Sequence, residues 1–248
     1  PRPDAPRPRA PDNPPGLGAV RPRPDAPRPR APDNPPGLGA VRASLPRTPS
    51  LFPRAERRYN CPATSTMEFV LTSLPDVILV QPPTHGDERG FVMESYRADK
   101  FAAAGISVPF VQDNHSFSRK GVLRGLHYQV RARQGKLVRA VSGVIFDVAV
   151  DLRRSSSTFG HWVGAYLSSE NHHQMWIPPG FAHGMYVLSD TAAVLYKMTD
   201  YYLPEWERTL LWNDPRLGIE WPLIDGIPPV LSPKDEQGTP LDRAEVFD

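Results

Sequence analysis

Short apolar segments separated by turn residues limit most strongly what this chain can fold into. They occupy residues 137–141, 144–151, 162–167, 174–177, 184–188 and 191–202. Short strands with turn signals at this spacing are typical of a β-sandwich or a small barrel. Ile145, Phe146, Val148 and Val150 are too apolar for a sheet with one solvated face, so both faces of that strand are predicted to be covered. The sequence therefore predicts an all-β domain.

Weaker signals place further elements around this core. Strands are predicted at 77–80 and 91–95, a short helix at 99–105 and extended structure at 110–116. Asp99 is a candidate helix cap and Gly105 a candidate stop. The segments 137–141 and 144–151, joined through Gly143, suggest a β-hairpin. The C-terminal part is predicted to be mostly irregular.

The first 66 residues differ in composition from the rest of the chain. Residues 1–21 are repeated without change at 22–42, and residues 1–66 contain 18 of the 31 prolines and 12 arginines against 5 acidic residues. Pro-rich sequence without apolar periodicity cannot bury enough surface to offset chain entropy. Residues 1–66 are predicted to be a disordered extension, either upstream sequence or a spacer, joined to a domain at 67–248. A PxxP ligand or a nucleic-acid-binding arm is the functional alternative.

The composition of residues 67–248 excludes several classes of protein. With 17 basic and 22 acidic residues, this part is acidic, which argues against broad nucleic-acid binding. The single cysteine, Cys61, lies in the extension, so the domain has neither a disulfide nor a thiolate metal site. No apolar run is long enough to span a bilayer, and the extension lacks the apolar core of a signal peptide. We therefore predict a soluble, cytoplasmic protein.

A basic cluster around one histidine is the main candidate for chemistry. Residues 121–139 read GVLRGLHYQVRARQGKLVR and contain His127, Arg124 and Lys136. A strand-borne basic cluster with a histidine suits an anionic ligand and proton transfer. The alternative is a solvated basic hairpin with a packed histidine.

A metal site at His127 is not expected. Cupin-type barrels commonly bind metal through His-x-His, a nearby Glu and a later His. Here Gln129 stands two residues after His127, no Glu occurs between His127 and Glu170, and only His183 falls where a last ligand is expected. Without metal or a nucleophilic cysteine, general-base catalysis by His127 and general-acid catalysis by a tyrosine remain, a combination that suits proton abstraction beside a carbonyl.

Eight motifs in order resemble one enzyme family. They are DERGFVMES (87–95), FVQDNHS (110–116), LRGLHYQ (123–129), QGKLVR (134–139), FDVAVDLR (146–153), TFGHWVG (158–164), WIPPGFAHG (176–184) and LSPKD (231–235). Together they are similar to dTDP-4-dehydrorhamnose 3,5-epimerase over nearly all of residues 67–241. Residues 1–66 lie outside the resemblance.

The resemblance implies a fold, a reaction and catalytic roles. The fold is a metal-free, cupin-type jelly roll without cofactor, usually a homodimer. The reaction inverts C3 and C5 of dTDP-4-dehydro-6-deoxy-D-glucose. His127 matches the general base, Asp235 its paired carboxylate, Tyr196 the general acid and Lys136 a residue near the C4 oxygen. Substrate-contacting positions match Arg89, Glu94, Gln112, Asn114, Arg124, His183, Glu207 and Lys234, and Tyr202 matches an aromatic that stacks on thymine.

Three other functions stay open at this point. An enzyme that acts at a single carbon of a dTDP-4-keto sugar would keep His127 and most of the pocket. A metal-dependent cupin oxygenase is disfavoured by the missing ligands. A sugar-nucleotide-binding module without catalysis is expected to lack His127, Tyr196 or Asp235, but all three are present.

Overall fold

Two antiparallel sheets form the core of residues 66–248. The computed structural model describes residues 66–248, so the predicted disorder of the extension lies, apart from Thr66, outside the described residues. The strands are β1 (Glu68–Leu71), β2 (Ile78–Gln81), β3 (Thr84–Asp87), β4 (Gly90–Met93), β5 (Gln112–Arg119), β6 (Leu123–Gln129), β7 (Lys136–Ser142), β8 (Val144–Asp151), β9 (Trp162–Ser168), β10 (Gln174–Ile177), β11 (Phe181–Val187), β12 (Thr191–Met198) and β13 (Glu207–Thr209). Helices are short: α1 (Ala98–Ala103), α2 (Pro233–Glu236) and 3₁₀ turns at Pro204–Trp206 and Leu241–Arg243.

The strand order defines a sandwich. A six-stranded sheet runs β1-β2-β10-β7-β12-β5, a five-stranded sheet runs β13-β6-β11-β8-β9, and β3 and β4 form a separate hairpin. Each predicted strand and the predicted helix is present, with ends shifted by no more than four residues. The all-β prediction is therefore confirmed for the described residues.

The predicted hairpin of residues 137–151 is wrong. β7 belongs to the six-stranded sheet and β8 to the five-stranded sheet, and the two strands do not pair. The chain instead changes sheets at Gly143, which has φ +76°. A Cβ there would collide with the carbonyl oxygen of Thr191. Glycine allows this sharp corner because it adopts positive φ without steric cost.

The strand β8 is covered on both faces, as predicted. Ile145 and Ala149 face the other sheet and belong to the core cluster between the sheets. Phe146, Val148 and Val150 belong to a second cluster on the opposite side of their sheet. That cluster includes Leu210, Leu217, Ala244 and Phe247. The irregular C-terminal segment thus covers the outer face of the five-stranded sheet.

None of the helices described over residues 66–248 is long and apolar enough to cross a membrane.

Candidate active site

A cavity of about 380 Å³ lies between the two sheets. Residues of β5, β7 and β12 line it from the six-stranded sheet, and residues of β6 and β11 line it from the five-stranded sheet. Ten of the thirteen predicted site residues line it: Asn114, Arg124, His127, Lys136, His183, Tyr196, Tyr202, Glu207, Lys234 and Asp235. The fold thus gathers side chains that lie as far as 121 positions apart, from Asn114 to Asp235, around one space.

His127 and Asp235 form a close pair at this cavity. His127 lies on β6, and its Nε2 is 2.5 Å from Asp235 Oδ1. The side chain of Asp235 is almost fully buried, whereas that of His127 keeps 23% of its surface exposed. Since an ionised carboxylate only accepts hydrogen bonds, the proton of a neutral His127 belongs on Nε2. Nδ1 is then the basic nitrogen.

The sequence around Asp235 explains how it is held. Ser232 caps α2, its hydroxyl accepting from the Asp235 backbone N–H, and Pro233 occupies the first turn. Serine at the cap and proline at the first helical position are favoured starts for a helix. The Ser232 hydroxyl also donates to Asp235 Oδ2 at 2.7 Å. Both oxygens of the buried carboxylate therefore have partners.

Burial and charge set the protonation of this pair. Burial lowers the pKa of His127 below its usual value, and the opposing effect of Asp235 does not cancel it. Burial alone would raise the pKa of Asp235, but the hydrogen bonds from His127 and Ser232 bring it below its usual value. At neutral pH the pair is a neutral imidazole beside a carboxylate, the state that a general base requires.

Two glycines let the strands under the histidines approach closely. A Cβ on Gly125 of β6 would collide with the Cα of Gly184 on β11. Gly125 has φ +127°, a conformation that side chains rarely adopt. In this pair of strands His127 lies directly opposite His183. The two histidines therefore share one wall of the cavity.

Lys136 is the buried cation of the site. It is the first residue of β7 in the six-stranded sheet, whereas His127 belongs to the five-stranded sheet. Its Nζ donates to the backbone carbonyl of His127 at 3.2 Å. Burial lowers its pKa to about 8, while the charges of Asp147 and Glu207 act in the other direction. At neutral pH most molecules therefore carry an ammonium group here.

Tyr196 lies on the sheet opposite His127. It is on β12 of the six-stranded sheet, whereas His127 is on β6 of the five-stranded sheet. Both side chains line the same cavity. A planar ligand between the sheets would thus meet the histidine on one face and the tyrosine on the other.

Polar side chains group around Glu207 at one end of the cavity. Tyr202 donates its hydroxyl to Glu207 Oε2 at 3.0 Å, and Lys234 donates to the same oxygen at 2.8 Å. Burial alone would raise the pKa of Glu207, but Lys234, His127 and Tyr202 bring it below its usual value. Arg124 also lines the cavity, anchored by a hydrogen bond from Nε to Ser118.

Three predicted substrate contacts do not line the cavity of their own chain. Arg89 lies beside the β3–β4 hairpin turn, with 85% of its side chain exposed and an ion pair to Asp87. Glu94 pairs with Lys100 at 2.7 Å. Gln112 contacts a residue that lines the cavity: its Nε2 donates to Asn114 Oδ1 at 2.9 Å.

Gln129, which occupies the position of the second histidine in the His-x-His pattern of metal-binding cupins, has a structural role. Its Nε2 donates to the carbonyls of Ala132 and Tyr201, and its Oε1 accepts from the Leu203 backbone. It therefore ties together two loops beside the cavity. Within residues 66–248, no group of three or more His, Cys, Asp or Glu side chains is arranged to hold a metal ion.

Sequence reasoning missed two residues that support the site. Ser232 holds Asp235, and Asp147 on β8 lies 2.8 Å from His183 Nε2 through its Oδ1. Ser232 could have been found from the cap pattern Ser-Pro that precedes Lys234-Asp235. Asp147 also carried a signal, because an acidic residue inside an apolar strand needs a buried partner.

A family model and several relatives match this chain. The model for dTDP-4-dehydrorhamnose 3,5-epimerase matches residues 71–243. The chain belongs to this family. A dTDP-4-dehydrorhamnose 3,5-epimerase of Pseudomonas aeruginosa is 59% identical over 182 residues, which cover 73% of this chain and 99% of that protein. A Shigella flexneri enzyme of the same name is 54% identical over 183 residues, with the same coverage of both chains.

The epimerase family also accounts for the fold. A dTDP-6-deoxy-D-glucose-3,5-epimerase from Legionella pneumophila, solved in complex with dTDP-4-keto-L-rhamnose, superposes with a TM-score of 0.70 at 50% identity. The match covers 72% of this chain and 95% of that one. The resemblance drawn from the eight motifs and the cupin-type jelly-roll fold are thereby confirmed.

Proposed function

We propose that this member of the epimerase family inverts C3 and C5 of dTDP-4-dehydro-6-deoxy-D-glucose and yields dTDP-4-dehydro-L-rhamnose. The observation that carries the proposal is that His127 and Tyr196 line one cavity from opposite sheets, with Lys136 buried beside them. An epimerase must remove a proton from one face of a carbon and return one to the other. The high identity to enzymes of that name supports the substrate.

The base step depends on the His127–Asp235 pair. C3 and C5 both flank the C4 ketone, so loss of either proton gives an enolate whose charge lies on the same oxygen. His127 Nδ1 accepts the proton, and the Asp235 carboxylate stabilises the imidazolium that forms. Because both acidic carbons neighbour one carbonyl, one base serves both inversions.

Lys136 supplies the charge that the enolate requires. A buried ammonium interacts more strongly with a developing oxyanion than a solvated one, because little water screens it. The pKa of about 8 leaves the group mostly charged at neutral pH. Lys136 therefore stabilises the C4 oxyanion during both proton transfers.

Tyr196 completes the inversion from the other sheet. Its hydroxyl donates a proton to the face opposite His127, so the configuration at the carbon changes. Tyr196 is then a phenolate and His127 an imidazolium, and proton exchange with solvent restores both. General acids and bases each contribute typically about 10²–10⁴-fold to such rates.

The nucleotide binds through cations and an aromatic ring near one end of the cavity. Arg124 and Lys234 suit the diphosphate, since guanidinium binds phosphate oxygens bidentately and ammonium adds a point charge. Tyr202 is half-exposed beside Glu207 and offers its ring for stacking on thymine. These contacts orient the sugar toward His127.

The test is incubation with the dTDP-4-keto sugar in deuterated water, in the presence of EDTA. We expect deuterium at both C3 and C5 by NMR, together with product of inverted configuration. Label at one carbon only would identify a single-carbon epimerase. Loss of label on chelation, restored by one metal, would instead support a metal-dependent enzyme. Absence of label under all conditions contradicts the proposal.

The active form is proposed to be a homodimer in the cytoplasm whose machinery lies within residues 67–248. Arg89 and Glu94 do not line the cavity of their own chain. In a homodimer they would reach the cavity of the second copy. We expect a protein that starts at Met67 to match the full chain in turnover, melting temperature and dimeric mass by light scattering. A monomer that remains fully active, or a large loss on truncation, would contradict this organisation.

A further inference from the structure

A buried carboxylate beside the cavity has no role in the mechanism above. Asp147 lies on the inward face of β8, between Ile145 and Ala149, and none of its surface is exposed. Oδ1 is 2.8 Å from His183 Nε2, and Oδ2 has no hydrogen-bond partner within the described part of the chain. Leaving a buried carboxylate oxygen unpaired is costly, so its presence requires a reason.

The first contact of Asp147 fixes the orientation of His183. The carboxylate can only accept, so Nε2 carries the proton and Nδ1 is left for a ligand in the cavity that His183 lines. The arrangement resembles the His127–Asp235 pair, since in both a buried carboxylate holds Nε2. The two histidines are direct neighbours across β6 and β11.

The second action of Asp147 is on Lys136. Lys136 enters the space between the sheets from β7, whereas Asp147 enters it from β8 of the other sheet. They form no direct ion pair, but the charge of Asp147 is the largest influence that favours the ammonium form. Charges that face Lys136 from the surrounding elements are Asp147 of β8, Glu207 of β13, Lys234 of α2 and, when protonated, His127 of β6.

We propose that Asp147 is a positioning residue that fixes His183 through one oxygen and keeps Lys136 charged by its negative charge. This rests on the proposed function, in which the Lys136 ammonium stabilises the C4 oxyanion. Without a nearby negative charge, a fully buried lysine loses its proton readily, because burial disfavours the charged form. Asp147 thereby extends the pH range over which the site can stabilise an enolate.

Asp147→Asn tests the proposal, because it keeps the shape of the side chain and removes its charge. Activity that needs the Lys136 ammonium is present below its pKa of about 8 and is lost as pH rises through it. In the variant we expect this alkaline limb of kcat to move to lower pH by about one pH unit or more. The acid limb, set by His127, should stay in place.

A matched control comes from the same strand. Asp151 is also a buried acid on β8, but it is bound by Arg153, Ser156 and Thr158 away from the cavity. Asp151→Asn should lower the melting temperature without moving the alkaline limb. Equal displacement of the limb in both variants would assign the effect to general destabilisation and overturn the proposal.

A direct measurement of the Lys136 pKa makes the test independent of catalysis. The pKa of Lys136 can be followed by NMR in protein with ¹⁵N-labelled lysine, with Lys136→Arg to assign the signal. We expect it to fall in Asp147→Asn even if the wild type acts on another sugar; an unchanged value contradicts the proposal.

If Asp147→Asn does not fold, His183→Ala tests which of the two residues maintains the Lys136 charge. It retains the Asp147 charge, so KM should rise while the alkaline limb does not move to lower pH. A limb that moves to lower pH in His183→Ala would show that His183, not Asp147, maintains the Lys136 charge.

Discussion

Both solvent exchange and inversion are expected to fall by at least roughly 10²–10⁴-fold in His127→Ala. Within residues 66–248, Asp235 holds one nitrogen of this imidazole and the other nitrogen has no partner, so it can accept a proton; His183 is the other histidine of the cavity with this arrangement. Removing the His127 imidazole takes away the base that the proposed mechanism requires on that face of the sugar. Deuterium at C3 and C5 and the configuration of the product are measured in the same NMR sample.

The control for His127→Ala is another histidine outside the cavity. His161 is exposed, and no atom of it lines the cavity. His161→Ala should retain both exchange and inversion. If His127→Ala exchanges deuterium at a rate near that of the wild type, the base is another group, with His183 the first candidate because it lies directly opposite on β11.

Tyr196→Phe is expected to separate two events that His127→Ala removes together. The substitution deletes the hydroxyl and keeps the ring that packs against the core between the sheets. His127 can still remove the proton and return one to the same face. Deuterium should therefore enter the substrate, while inversion falls by roughly 10²–10⁴-fold.

The matched control for this variant is Tyr166→Phe on β9. Tyr166 is mostly exposed, and its ring contacts Phe146 rather than the cavity. It should leave exchange and inversion unchanged. Inversion near the wild-type rate in Tyr196→Phe would make Tyr196 a packing residue and assign the acid role to another group or a bound water.

The sequence predicted strands well and their pairing less well. Apolar alternation identified β7 and β8, because periodicity reports which residues are buried. It carries no information about which sheet a strand joins, so Gly143 was interpreted as a hairpin turn when it is a corner between sheets. The two-sided burial of β8 was predictable because its residues are apolar on both faces.

The candidate site shows the same division. His127, Arg124 and Lys136 lie close together in the chain, so their cluster was visible in the sequence. Asp235 and Tyr196 are distant in sequence and were placed by family resemblance, since no local pattern links them to His127. Asp147 escaped notice because its neighbours read as an ordinary core strand, and its role depends on contacts from other strands.

The separation of the two sheets determines whether a ligand can contact His127 and Tyr196 at the same time. Stacked sheets pack about 10 Å apart, a spacing that the interdigitating side chains of the core set. Since His127 and Tyr196 are carried by different sheets, the stereochemical outcome depends on a distance that the whole hydrophobic core maintains. Substitutions deep in that core, remote from any reacting atom, can therefore alter the ratio of inversion to exchange by changing how far apart the two layers lie.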